Sequence, residues 1–160
     1  MVAGLAAFAI GPHGIGSVRF GASKAAAVAT LSARLGAPTK REVNPGCAPR
    51  YTEVEWGDLA VEFRSGVFSG FRYIAGGLPP TTYRPPSPPK PVSPRLATAS
   101  GISLGSTLAQ VRSSYGRLQR IGADMWRASN GLVFVDSAKR DPVPPTSPIR
   151  EIKIGTCGDF

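Results

Sequence analysis

One histidine, two cysteines and a closely spaced set of carboxylates are the residues whose chemistry could set a function here. A single histidine, His13, excludes a paired-histidine metal site and leaves a serine or cysteine nucleophile without an evident base. The "GPHGIG" around it is no dinucleotide loop, because Arg19 occupies the place of the third glycine, and no Walker-type "GK[ST]" occurs. A glycosidase needs two convergent carboxyl groups, and Glu53, Glu55 and Glu62 are the nearest set. Their period-2 spacing places them at outward strand positions beside basic residues, where they read as solvated sheet-face charges, and Asp159 reads the same way. Cys47 in "NPGCAPR" and Cys157 in "GTCGDF" lack C-x-x-C spacing, which argues against zinc or a thioredoxin-type centre. They are read either as one disulfide or as two separate buried thiols. Neither a cofactor nor a catalytic residue is expected. An enzyme stays open only as a site assembled from residues distant in sequence.

The elements that must position these residues are short. The chain has 160 residues with 42% hydrophobic content, 19 glycines and 16 prolines, a composition suited to strands, turns and a few short helices. Its formal charge of +9 favours an anionic partner, such as the acidic face of another protein. The basic residues are scattered, as in "RLQR" and "TKRE", with no run of five, which argues against a nucleic-acid patch. No stretch approaches the ~20 apolar residues of a membrane span. The opening "MVAGLAAFAIGPHG" has a small-x-small Ala7-Phe8-Ala9 but no charged leading region, so residues 1–13 are read as a truncated export signal or as a first strand. An extracytoplasmic or secreted location is the expectation, and no nearby cysteine supports a lipid anchor.

Between residues 76 and 98 the proline-rich "GGLPPTTYRPPSPPKPVSPR" cannot continue a helix or a central strand and is read as a semi-rigid linker. Its "PPSPPK" also fits a polyproline ligand, a match that any proline-rich run produces. The flanking halves, 14–75 and 99–160, share punctuation. In the first, Val18 and Phe20 alternate, Gly21 turns the chain, and Ser23 caps a helix carrying Val28, Leu31 and Leu35 that stops at Gly36. In the second, Ile102 and Leu104 alternate, Gly105 turns the chain, and Thr107 with Gln110 forms a capping-box spacing before Leu108, Val111 and Tyr115, with a stop at Gly116. The helices differ by about one turn, so the inward face keeps its register. Strand material follows in each half: "TEVEWGDLAVEF" with a Gly57-Asp58 turn and "SGVFSGFRYI", then "DMWRASNGLVFV" with Asn130-Gly131 and "IREIKIG". Trp56 and Trp126 fall at comparable points and are expected in the core.

The pattern apolar-x-apolar-Gly-x-Ser/Thr, a short helix ending Leu/Tyr-Gly and a Trp-bearing meander resembles two families of exported modules: the β-lactamase inhibitory proteins and the SmpA/OmlA-type outer-membrane assembly lipoproteins. The resemblance covers residues 14–74 and 99–157. It implies an α+β fold of two tandem repeats joined in one curved antiparallel sheet with helices on one side, whose concave face in the inhibitor family binds an enzyme. The chain departs from both families. In the inhibitors each repeat closes its own disulfide, whereas here each half has one cysteine, so a Cys47–Cys157 bond would clamp the two repeats together across the linker. By the entropy model a loop of ~100 residues closed this way stabilises by up to about 4–5 kcal/mol, and an exported setting is what favours the bond. The lipoproteins start at a lipidated cysteine that is missing here.

The functional expectation is a non-enzymatic, exported, inhibitor-like protein-binding module. Phe68 and Arg72 are expected on a solvent-facing side of their strand, opposite Val67, Phe71 and Tyr73, and with Arg64 and Tyr51 they make up the candidate partner-binding set. The alternatives are a cell-envelope hydrolase and a structural envelope protein binding anionic polymer.

Overall fold

A computed structural model describes residues 8–44, 51–76, 95–138 and 141–156. Cys47, Cys157, most of the proline-rich segment and the first seven residues lie outside the described residues. The class is α+β. A small antiparallel sheet of β1 (Ile10–Gly11), β2 (Gly14–Ile15) and β3 (Val18–Arg19) precedes helix α1 (Lys24–Leu35). Its alternate apolar residues Ile10, Ile15 and Val18 are buried. Four strands follow: β4 (Lys40–Asn44), β5 (Tyr51–Trp56), β6 (Leu59–Arg64) and β7 (Val67–Ile74). Helix α2 (Leu108–Tyr115) then leads into β8 (Gln119–Arg120), β9 (Met125–Arg127), β10 (Val133–Asp136) and β11 (Ile149–Ile154). These last eight strands pair in the order β4-β5-β6-β7-β11-β10-β9-β8, all antiparallel.

The helices begin and end where the side chains dictate. Ser23 accepts a bond from the Ala26 amide, and Thr107 and Gln110 complete a reciprocal capping box, so the first free amides of each helix find acceptors. Gly36 and Gly116 end them, each at positive φ. Helix α1 has twelve residues and α2 eight, a difference of one turn.

Cross-strand register lines up one continuous row: Trp56, Leu59, Tyr73, Ile152, Phe134, Trp126 and Arg120. Helix contacts fall on this row and its neighbours. The Trp56 indole donates to the Gly36 carbonyl at 3.0 Å, and the Tyr115 ring lies 5.2 Å from Phe134. Both tryptophans are buried, though their N–H groups find different acceptors. Where β7 meets β11 the backbones approach closely: a Cβ on Gly70 would lie 2.5 Å from the Gly155 carbonyl oxygen, so neither side chain nor substitution fits there without movement.

Two sequence expectations need correction. Ile102 and Leu104 form no strand; both are buried in a turn held by the Thr98 hydroxyl and by Gly105 donating to the Ile149 carbonyl. The basic stretches "TKRE" and "RLQR" also contribute to the outermost strands β4 and β8. In β7, the register shift opposite Glu62 and Phe63 inserts Ser69 as an extra residue. The bulge reverses the alternation, so Phe68 points to the same side as Phe71 and Tyr73.

Candidate functional site

The carboxylates of the first half sit on the face of the sheet opposite the tryptophan row. Tyr51, Glu53 and Glu55 alternate along β5, and their cross-strand partners on β6 are Arg64, Glu62 and Ala60. Arg72 on β7 follows Ala60, and Lys153 on β11 follows Arg72. Most of these side chains are not solvated. Tyr51, Glu53, Glu62, Glu151 and Lys153 are all buried, Glu62 completely, which corrects the reading of Glu53 and Glu62 as exposed sheet-face charges. The cause is tertiary: period-2 alternation separates the two faces of a strand but does not reveal whether the second face meets water.

Burial and crowding shift the titration of this row. Burial, then the neighbouring Glu55 and Glu62 charges, push Glu53 up to about 7, with Arg72 pulling the other way. Burial followed by the Glu62 and Glu53 charges pushes Tyr51 up to about 12. Arg72 donates from Nε to Glu151 Oε1 at 3.0 Å, and the Arg64 guanidinium lies 3.9 Å from Glu62. Cations therefore intersperse the carboxylates. Among the described residues no group of three or more His, Cys, Asp or Glu is placed to hold a metal ion.

The proposed binding set is divided by this arrangement. Tyr51, Arg64 and Arg72 share the carboxylate face, with Tyr51 buried and both arginines largely so. Phe68 is on the other face, 1% exposed, with its ring centroid 4.8 Å from Phe20 and 6.1 Å from Phe63. A core phenylalanine of this kind contributes to stability and cannot contact a partner directly.

An exposed basic cluster lies at the far end of the sheet. A cleft of about 500 Å3 is walled by residues 117–120 on one side and 127–129 on the other, and carries Arg117, Arg120 and Arg127 with no carboxylate in its lining. The antiparallel pairing of Gln119 with Arg127 brings these walls together. Trp126 organises the neighbourhood. Its N–H donates to Asp136 Oδ2 at 2.8 Å, fixing the ring, while the Arg112 and Arg120 guanidinium groups lie 4.9 and 5.5 Å from its centre. Buried Asp136 also accepts from the Ala138 amide, and its carbonyl accepts from Arg150 Nε. Arg120 is clamped by bonds to the Gly122 and Ala123 carbonyls and to Asp141. Arg112 and Arg117 are exposed. Several guanidinium groups on a rigid support, one of them already oriented, suit recognition of carboxylates. Sequence inspection missed this cluster because its members are spread over residues 112–127 and converge only through the β8–β9 hairpin.

No family model matches the chain, and searches of curated proteins and of solved structures likewise return no match. Among the described residues no helix is long and apolar enough to cross a membrane.

Proposed function

We propose that this chain is a non-enzymatic binding module, exported to the cell envelope or beyond, that uses the arginine cleft at the β8–β9 end of its sheet to engage an acidic face of another protein. The observation that carries the reading is the convergence of Arg117, Arg120 and Arg127 in a cleft without a carboxylate, beside the arginine-flanked Trp126. Arginine is among the residue types that dominate protein-binding energetics. The net charge of +9 adds long-range steering toward an acidic partner.

In the same proposal the two halves are related repeats joined into one curved sheet, as the resemblance to the inhibitor and assembly-lipoprotein families implies. Each half supplies one helix followed by four strands, and the strand order mirrors about the β7–β11 pair. The hydrolase alternative is weakened by the placement of Glu53 and Glu62, which are buried away from the cleft.

The test is titration of fluorescein-labelled poly-L-glutamate with the wild-type chain and with Arg112→Glu/Arg117→Glu, two substitutions at exposed positions. The expected result is saturable wild-type binding that weakens steeply between about 50 and about 300 mM salt, with the double reversal at least about tenfold weaker and its circular dichroism unchanged. Absence of saturable binding at the lower salt, or equal affinity of the folded reversal, would overturn the proposal.

A further inference from the structure

Strand β8 ends the eight-stranded sheet, and the hydrogen-bond phase of its one pairing determines where its outer backbone groups point. The Ile121 amide donates to the Met125 carbonyl at 3.0 Å, so Ile121 and Met125 form a hydrogen-bonded pair. Antiparallel pairing alternates bonded and non-bonded pairs, which makes Arg120 and Trp126 a non-bonded pair and Gln119 and Arg127 a bonded one. The next ladder agrees: the Ala128 amide donates to Leu132, so on β9 the groups of Trp126 and Ala128 serve β10 while those of Arg127 serve β8. The N–H and C=O of Arg120 therefore point outward from the sheet, and Leu118 comes next in the same alternation. Outside the β8–β9 ladder, no backbone–backbone bond among the described residues uses these groups.

An edge strand with free backbone groups is a template for another extended chain, and proteins guard such edges with charge. Here the guarding charges are mostly positive, with Asp141 paired to Arg120. Arg117, Arg120 and Arg127 flank the edge, and Arg112 lies above Trp126 beside it. The same device that rejects a second basic strand selects an acidic one.

We infer that the partner of this module docks an extended, carboxylate-rich segment along β8 as a ninth antiparallel strand, bonding to the backbone of Arg120 and Leu118 while its acidic side chains meet Arg112, Arg117 and Arg127. This rests on the arginine-cleft reading above and deepens it: main-chain bonds give register and the arginines select the sequence.

The experiment uses the full chain and two labelled octaglutamate peptides, one unmodified and one N-methylated at every residue. The methylated peptide keeps its charges and loses its backbone donors. The expected result is binding of the unmodified peptide, about tenfold weaker binding of the methylated one, and slowed hydrogen exchange at the Arg120 and Leu118 amides in the first complex only. Equal binding of both peptides would overturn strand addition and leave the arginine-cleft reading standing. Binding of neither would overturn both.

Discussion

Ionisable side chains gather at two places on the same sheet, the β5–β7 face and the β8–β9 end, and the surroundings differ as much as the charges do. On β5–β7, Glu53 and Glu62 are buried among Arg64, Arg72 and Glu151, so their charges act on the folding equilibrium. At β8–β9, Arg112 and Arg117 are exposed around a fixed tryptophan, so their charges act on whatever arrives from solution. Charge sign is readable from sequence, but what a charge does depends on its burial. The comparison predicts that substitutions in the first region move stability and leave acidic-peptide binding intact, while those in the second do the reverse.

The largest effect is expected at Phe68. Removing a fully buried ring packed on Phe20 and Phe63 should cost about 3–5 kcal/mol in Phe68→Ala, read from urea denaturation. A loss below about 0.5 kcal/mol would place the ring at the surface and return Phe68 to the binding set.

A smaller and opposite effect is expected at Glu53. Its folded-state value of about 7 lies above its ordinary carboxylate value of 4.5, so the folded chain binds more protons between them and loses stability as pH rises through that window. Glu53→Gln should flatten the fall in stability between pH ~5 and ~8 and raise stability at the upper end by about 1–2 kcal/mol. Parallel pH profiles for mutant and wild type would contradict the assignment.

The smallest effect is expected at Arg112. Truncation in Arg112→Ala removes one cation from above Trp126 and should weaken poly-L-glutamate binding about threefold, with denaturation shifted by no more than about 0.5 kcal/mol. A stability loss larger than the binding loss would move Arg112 into the structural class occupied by Arg72.

Local signals were legible because their physics is local. Ser23, Thr107 and Gln110 cap the helices that their spacing announces, and the strands around Gly57-Asp58 and Asn130-Gly131 pair as the turn residues require. What escaped depends on partners distant in sequence. The extra residue Ser69 in β7 is defined by the register with β6, so nothing within "SGVFSGFRYI" signals that Phe68 turns inward. Strands β4 and β8 are basic and short, and only pairing to β5 and β9 makes them strands. The Glu53–Glu62 pair and the Arg127–Gln119 pair are both consequences of register, and the candidate site followed from the second of them.

The central claim is that recognition belongs to the β8–β9 end and not to the β5–β7 face. It is tested most directly by mapping backbone amide chemical shifts of the 15N-labelled chain as poly-L-glutamate is added. The account predicts shifts concentrated in residues 112–129, with Tyr51, Glu53, Arg64 and Arg72 unmoved. Shifts centred on those four residues, with the arginine cleft silent, would contradict it.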